Sequence, residues 1–142
     1  MTARPIGVVI DGATGRLGTT QHLRALLAIR AEGGLPLDGG HRLLPEPFLL
    51  GRNPTRLAAL AAANGGLNWS TERDTCLADP GIAIYFDASA TGGRPERAGA
   101  AIDAGKHVYL EKPIAETLPE ALAPASRMVS CRINCSCPGC VS

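Results

Sequence analysis

A glycine-rich turn near the N-terminus narrows the possible folds more than any other feature of the sequence. It follows an uninterrupted apolar run at residues 6–10 and precedes leucines and isoleucines at mostly helical spacing over residues 23–29. A continuous apolar run of this length predicts a strand that is covered on both faces, as in a parallel sheet. The turn therefore joins a predicted strand to a predicted helix, and we expect that helix to end at Gly33 and Gly34.

The same alternation continues along the chain. Further strands are predicted at residues 48–50, 67–69, 82–86 and 107–110, and further helices at 56–63, 71–78, 95–104 and 118–129. We expect Thr55 to cap the helix at 56–63, and the proline- and glycine-rich residues 35–47 to form a loop. Strands that alternate with helices favour right-handed βαβ units, so the predicted fold is a single α/β domain with a doubly wound parallel sheet, Rossmann-like in type.

Composition excludes several classes of protein. Fourteen basic residues against thirteen acidic ones leave a net charge of +1, which argues against a nucleic-acid-binding surface. No apolar segment approaches the length of a membrane span or a signal-peptide core, so the chain is expected to be cytoplasmic and to have no membrane partner. Cys76 is the single cysteine before residue 131, so the main body is not a disulfide scaffold.

The glycine-rich turn has the spacing G-x-x-G-x-x-G. A phosphate-binding turn needs glycine where the chain reverses, where the backbone approaches the pyrophosphate, and where the helix packs on the strand. The following helix supplies unpaired N–H groups and a partial positive charge. We therefore interpret the whole turn as a dinucleotide-binding loop, with a glycine-rich turn of an unrelated α/β protein as the alternative. Its predicted cofactor-binding residues are Gly12, Ala13, Thr14, Gly15, Arg16, Leu17 and Gly18.

The end of the second predicted strand bears on the choice of dinucleotide. Many NAD sites place an acidic residue there to bind the ribose 2′-hydroxyl, whereas this chain has Arg52 and Asn53. An arginine pairs with a 2′-phosphate through charge-assisted hydrogen bonds. Arg52 and Asn53 are thus predicted to bind the cofactor, with NADP preferred over NAD; the alternative is that Arg52 is a solvated loop residue.

A second motif, Glu-Lys-Pro, follows the predicted strand at 107–110. It places a charged pair, Glu111 and Lys112, at the carboxyl edge of the sheet, where open α/β folds bind their ligands. Through this motif and residues 8–18, 77–80 and 105–108, the sequence resembles the Gfo/Idh/MocA family of nicotinamide-dependent oxidoreductases. The resemblance spans about residues 5–122.

The resemblance implies roles for particular residues. Lys112 is expected to lie beside the nicotinamide and the substrate hydroxyl and to assist there as an acid or base, and Lys112 is the predicted catalytic residue. Glu111 would hydrogen-bond to the cofactor or the backbone, and Pro113 would fix the turn. Where the family often reads Thr-Pro-Asn followed by a histidine, this chain reads Ser89-Ala90-Thr91, with Arg94 near the histidine position. These three residues are still expected to border the cofactor.

The resemblance also implies a second α/β domain, which holds a sugar, cyclitol or related substrate and forms homo-oligomers. The chain is expected to be a truncated, inactive nucleotide-binding half of such an enzyme, so whether it is itself an enzyme stays open. We expect residues 1–123 to form the Rossmann domain. Residues 124–142 form a tail that begins with Pro124 and that we interpret as disordered or frameshift-derived. It carries Cys131, Cys135, Cys137 and Cys140.

The alternative is a non-catalytic NAD(P)-sensing module that uses these cysteines as a metal or thiol switch. No metal site is predicted, and His22 and His107 are interpreted as structural or solvent-facing because neither has a second ligand at a useful spacing.

Overall fold

The structure is a computed structural model that describes residues 2–124. It contains six strands, β1 (Ala3–Asp11), β2 (Leu35–Pro36), β3 (Arg42–Leu50), β4 (Asn68–Ser70), β5 (Ile82–Asp87) and β6 (His107–Leu110). The helices are α1 (Arg24–Ala31), α2 (Pro54–Ala63), α3 (Arg73–Ala78) and α4 (Arg94–Asp103). A π-helical turn, Gly18–Leu23, leads directly into α1, and a 3₁₀ turn, Asp38–Gly40, precedes β3. Residues 118–124 are also helical.

The six strands form one sheet in the order β2-β3-β1-β5-β6, with β4 pairing with β3. Every pair is parallel except β2 with β3, which is antiparallel. Strand β1 lies at the centre, where Val9 is the register partner of Phe48 on one side and of Tyr85 on the other. The predicted doubly wound, Rossmann-like domain is confirmed, but the antiparallel strand β2 was not predicted.

Strands β1 and β5 contain the uninterrupted apolar runs at residues 6–10 and 82–86 because helices cover both faces of the sheet there. Side chains alternate between the faces of a strand, so Val9 and Ile10 enter opposite cores, as do Leu50 and Leu49. One core, formed with α3 and α4, contains Val9, Leu50, Cys76, Leu77, Ile82, Tyr85 and Ala101. The other, formed with the π-helical turn and α2, contains Ile10, Ala13, Leu23, Leu49, Leu57 and Ala61.

The prediction of a loop over residues 35–47 was wrong. Strand β3 begins at Arg42 and pairs with β1 over all nine residues, so Pro45 and Pro47 lie inside a strand. The outer edge of β3 pairs with β2 only at residues 42–43 and with β4 only at 48–50. Between these two segments no described strand pairs with the outer edge of β3, so no N–H is needed there. An unpaired edge of this kind is where a sheet tolerates proline. The Pro45 carbonyl there accepts a hydrogen bond from Arg30 Nη1 at 3.1 Å.

The predicted cap of the second helix was also wrong by two residues. Asn53, rather than Thr55, precedes α2, and its Oδ1 accepts a hydrogen bond from the Arg56 N–H at 3.1 Å. Pro54 follows in the first helical position, where its missing N–H costs nothing. Asparagine followed by proline is a stronger helix-start signal than threonine alone.

The predicted tail, with its four cysteines, lies outside the described residues except for Pro124. Pro124, where the predicted tail begins, is the last described residue and is still helical. Within residues 2–124, no group of three histidine, cysteine or acidic side chains is placed to hold a metal ion. The same part of the chain has no helix with both the length and the apolar character that a bilayer crossing requires.

The buried thiol of Cys76 leads to a prediction about alkaline stability. Burial, together with the charges of Asp11 and Asp79, raises the pKa of Cys76 from 9.0 to about 11. The stability that this thiol contributes is fully present below pH 9 and is lost as the pH rises to 11, because the unfolded chain gives up the proton first. The loss is at most about 1.4 kcal/mol per pH unit for one group. Urea denaturation between pH 8 and about 10.5 should give a shallower pH dependence for Cys76→Ala than for the wild type, and equal slopes would contradict this account.

Candidate functional site

A groove of about 830 Å³ runs along the carboxyl ends of the parallel strands. Its walls are the segments that directly follow β1, β3 and β5. This edge is where open α/β sheets bind ligands. The predicted cofactor-binding residues that line the groove are Gly12, Thr14, Gly15, Arg52, Asn53, Ser89 and Ala90.

The glycine-rich turn is anchored to the end of β3. The N–H groups of Gly12 and Ala13 both donate to the Leu50 carbonyl, at 3.0 and 3.1 Å. Gly12 has a φ of +78°, and a Cβ at this position would lie 2.7 Å from the Cα of Ser89. The turn after β1 and the turn after β5 are therefore in direct backbone contact, which only glycine permits.

Gly18 brings the start of the following helix against the same turn. A Cβ on Gly18 would collide with the Gly12 carbonyl and would lie 3.0 Å from the Cα of Ala13. Ala13 and Gly18 are accordingly buried behind the turn, while Arg16 and Leu17 lie exposed in the first helical turn. The first N–H groups of a helix lack intrahelical partners, so this end of the groove is suited to an anion.

Cations dominate the described lining of the groove. It includes four arginines, Arg52, Arg56, Arg73 and Arg97, and a single acidic residue, Asp11. Asp11 is already paired with Arg73, so the groove presents a net positive surface. Arg52 is exposed at the end of β3, whereas the side chain of Asn53 is engaged as the cap of α2.

Asp11, at the end of β1, is a buried carboxylate that sequence reasoning missed. Its Oδ2 accepts hydrogen bonds from Arg73 Nε and Nη2, at 3.0 and 2.9 Å, and from the hydroxyl of Tyr85. Burial and the neighbouring Asp11 charge raise the pKa of Tyr85, which keeps the phenol protonated as a donor. Partial burial lowers the pKa of Arg73, but Asp11 and Tyr85 outweigh that effect, so the net shift is upward.

Asp87 is the equivalent buried carboxylate at the end of β5. Its Oδ1 accepts from the N–H and the hydroxyl of Ser89, at 3.0 and 2.6 Å, and its Oδ2 accepts from Arg97 Nε at 2.8 Å. Arg97 also donates to the carbonyls of Ala90 and Gly92, at 2.6 and 2.8 Å. The turn after β5 is thus held to its own strand and to α4 by charge-assisted hydrogen bonds.

The predicted nicotinamide-side residues Thr91, Glu111, Lys112 and Pro113 lie outside the groove lining. Lys112 is exposed in the segment after β6, which is the neighbour of β5 in the sheet, and the Lys112–Pro113 peptide is cis. The Glu111 N–H continues the strand pairing by donating to the Asp87 carbonyl at 3.0 Å. His22, interpreted from the sequence as structural or solvent-facing, is 17% exposed and has its Nε2 2.6 Å from Glu111 Oε1.

The buried ionic residues left a signal in the sequence. Asp11 and Asp87 each stand directly after an apolar strand, and in a parallel sheet such positions meet at one edge. A buried carboxylate requires a cation, and the arginine-rich start of α4 supplies one. The partner of Asp11, in contrast, is 62 residues away along the chain, and no local pattern identifies it.

Comparisons with known proteins give consistent results. The model of the Gfo/Idh/MocA family, described as "Oxidoreductase family, NAD-binding Rossmann fold", matches residues 6–130. A D-xylose dehydrogenase from Paenarthrobacter nicotinovorans is 44% identical over 118 residues, which are 82% of this chain and 30% of that protein.

Solved structures resemble the fold over nearly the whole described chain. Levoglucosan dehydrogenase in complex with NADH and levoglucosan superposes with a TM-score of 0.74 at 27% identity, covering 89% of this chain and 32% of that one. An oxidoreductase domain protein from Kribbella flavida gives 0.74 at 28% identity, covering 92% and 32%. The chain therefore spans about a third of the length of these relatives.

Removing the Asp87 carboxylate should destabilise the site strongly. In Asp87→Ala, the buried Arg94 and the largely buried Arg97 lose their anionic partner, and removal of one partner of a buried pair costs about 3–5 kcal/mol. Asp87→Asn keeps hydrogen-bond acceptors and should lose less. The free energy of unfolding, measured with urea, should change by less than about 0.5 kcal/mol in Asp38→Ala, an exposed control. Equal effects of Asp87→Ala and Asp38→Ala would contradict the role given to Asp87.

Proposed function

The chain belongs to the Gfo/Idh/MocA family of oxidoreductases and contains its NAD-binding Rossmann domain, and we propose that it is the NADP(H)-binding half of an enzyme that acts on a sugar, cyclitol or related hydroxyl or carbonyl compound. Membership in this family confirms the resemblance that the sequence motifs indicated. The cofactor preference, the substrate class and the catalytic role of Lys112 are the proposed part.

One observation carries the proposal: the order of functional residues along the carboxyl edge of the sheet. Arg52 follows β3, the glycine-rich turn follows β1, Ser89 follows β5 and Lys112 follows β6, and these four strands are consecutive neighbours. Three strand spacings of about 4.8 Å separate the first from the last, or roughly 14 Å. A dinucleotide laid along this edge has its ribose phosphate at Arg52, its pyrophosphate at the turn and its nicotinamide near Lys112.

The glycine-rich turn fits the pyrophosphate. Side chains are excluded at Gly12 and Gly18 by direct backbone contacts, and Thr14 and Gly15 face the groove. The exposed first turn of the helix adds N–H groups that point to an anion. The surrounding arginines give the groove a positive charge, which is opposite to the negative charge of the ligand.

NADP is the preferred cofactor in this proposal because the described groove offers no unpaired carboxylate to the ribose 2′-hydroxyl. Asp11 is occupied by Arg73 and Tyr85, while Arg52 and Arg56 are exposed on the adjoining wall. A 2′-phosphate forms charge-assisted hydrogen bonds with arginine, which a hydroxyl does not match. The levoglucosan dehydrogenase structure contains NADH, so the two proteins would differ in this respect.

In this proposal the proton transfer belongs to Lys112, which lies outside the groove lining, after the strand next to β5. A bound nicotinamide supplies the hydride acceptor or donor. As a neutral amine, Lys112 would accept the proton of the substrate hydroxyl, and as an ammonium it would donate a proton to the substrate carbonyl oxygen, which are the roles of a general base and a general acid. The names of the relatives, a D-xylose and a levoglucosan dehydrogenase, support a sugar or polyol as the substrate class.

The alternative function, a sensing or redox-switch module built on the tail cysteines, depends on residues outside the described part of the chain. Homo-oligomerisation of intact family members, a cytoplasmic location and inactivity of the 142-residue chain stay predictions. A sugar-oxidation assay with D-xylose or levoglucosan tests the last of these, and turnover would contradict it.

Cofactor choice is tested by titrating the 142-residue chain with NADPH and NADH, with binding followed by cofactor fluorescence. Arg52→Ala should weaken NADPH binding about tenfold or more, equivalent to about 1.4 kcal/mol, and leave NADH binding within twofold. Arg24→Ala removes an exposed arginine of α1 that lies outside the groove and should change neither affinity.

Two results would count against the proposal, and they are distinguishable. Equal affinities for the two cofactors, unaffected by Arg52→Ala, would remove the NADP preference. Failure of the wild-type chain to bind either cofactor would overturn nucleotide binding itself.

A further inference from the structure

Arg94 is a buried cation that joins two separate turns at the carboxyl edge of the sheet. It opens α4 and is 2% exposed. Its Nη2 donates to the Ser89 carbonyl at 2.6 Å, in the turn after β5. Its Nη1 donates to the carbonyls of Glu111, at 2.7 Å, and of Pro113, in the turn after β6.

The two carbonyls that Nη1 reaches flank Lys112 on either side. The backbone before and after the lysine is therefore fixed, while the lysine side chain itself is exposed. Arg94 Nε lies 3.6 Å from Asp87 Oδ1, so the guanidinium is neutralised within the sheet edge. A buried arginine that donates to three carbonyls fixes their relative positions, because the donors of its planar guanidinium have a fixed geometry.

His22 holds the same turn from the opposite face of the sheet. It lies in the π-helical turn that follows the glycine-rich loop, and its Nε2 is 2.6 Å from Glu111 Oε1. The ring packs on Phe86 with centroids 4.3 Å apart, and Phe86 packs on Tyr109 at 4.4 Å. The glycine-rich loop and the turn of Lys112 are thus connected through one histidine–glutamate contact.

We propose that Arg94 and His22 are positioning residues that together fix the 111–113 turn and so hold Lys112 at the nicotinamide end of the groove. The proposal rests on the proposed nucleotide site. Both residues act through Glu111 and Pro113 rather than by touching the ligand. Arg94 also donates to the Ser89 carbonyl, in a turn that borders the groove, whereas His22 makes its polar contact with Glu111, on the β6 side. Arg52 follows β3, three strands away from β6.

The lysine content of the chain makes the position of Lys112 directly observable. The sequence contains two lysines, Lys106 and Lys112. Reductive methylation with ¹³C-formaldehyde labels both lysine amines, together with the α-amine, and retains their charge, and Lys112→Met assigns the Lys112 resonance. Lys106 donates to the Asp79 carbonyl at 2.8 Å, in the loop before β5 at the other end of the sheet, and serves as an internal reference.

The experiment compares NADPH with 2′-phospho-ADP-ribose, which keeps the 2′-phosphate and lacks the nicotinamide, on the full 142-residue chain. In the wild type, NADPH should shift the Lys112 methyl resonance and 2′-phospho-ADP-ribose should not. Arg94→Met and His22→Phe should each reduce the NADPH-induced shift by more than half. His22→Phe retains an aromatic ring beside Phe86 and therefore tests the Glu111 contact even where Arg94→Met does not fold.

Matched controls separate positioning from a general structural role. Arg24→Met and His41→Phe replace an exposed arginine and an exposed histidine and should leave the Lys112 shift unchanged. In His22→Phe, which leaves the hydrogen bond of Arg94 to Ser89 intact, the affinity for 2′-phospho-ADP-ribose should stay within twofold, and in both His22→Phe and Arg94→Met the Lys106 resonance should not move. Arg94→Lys, which keeps the charge but not the planar fork, should retain less of the shift than the wild type.

Several outcomes would overturn the proposal. A wild-type Lys112 shift in both variants would show that neither residue positions the lysine. Loss of affinity for 2′-phospho-ADP-ribose in His22→Phe, or movement of the Lys106 resonance in either variant, would assign a merely structural role. A wild-type chain that binds both ligands without any response at Lys112 would refute the placement of Lys112 but keep the nucleotide site, whereas binding of neither ligand would refute the proposed function itself.

Discussion

Two buried carboxylates stand side by side at the carboxyl ends of the central strands, and the rest of the groove depends on how they are neutralised. Asp11 and Asp87 are register partners on β1 and β5, and they are 4% and 0% exposed. Like charges at this separation, away from water, repel each other unless cations lie close to both. Arg97 supplies one such cation, with its Nε 2.8 Å from Asp87 and 4.0 Å from Asp11. Arg94 and Arg97 also have N–H donors that the carboxylates do not use, and these donors bind carbonyls in the loops. Charge neutralisation therefore also fixes the loops.

A second constraint acts through excluded volume rather than charge. The turns after β1 and β5 touch backbone to backbone at Gly12 and Ser89, and the helix start touches the same turn at Gly18. No side chain fits at either glycine without displacing backbone atoms. The glycine-rich turn is therefore defined by contacts within the protein as well as by the demands of a ligand, and the two requirements coincide because both need bare backbone at the sheet edge.

These constraints explain which features were predictable from the sequence. The strands at residues 6–10 and 82–86 were evident because both faces of each are covered, which produces an unbroken apolar run. The sequence predicted strand β3 only at its last residues, because Pro45 and Pro47 are typical of loops. The sequence does not show which edge of β3 is unpaired, and it is the unpaired edge that accommodates the prolines. The glycine spacing and the Glu-Lys-Pro motif are local patterns and were visible directly. The pairs Asp11–Arg73 and Arg94–Glu111 join residues 62 and 17 positions apart, so they arise from the topology and leave no local pattern.

The energetics of Arg94 indicate why an arginine stands at that position. Burying a guanidinium beside a carboxylate costs desolvation energy that the pair barely recovers, and replacing such a pair with apolar residues of similar volume is often neutral or stabilising. Stability of the core alone therefore does not call for Arg94 and Asp87. An apolar side chain could fill the same volume, but it could not bind the carbonyls of Ser89, Glu111 and Pro113 together. The benefit of the arginine lies in the fixed relative position of the two turns, one of which borders the groove while the other carries Lys112.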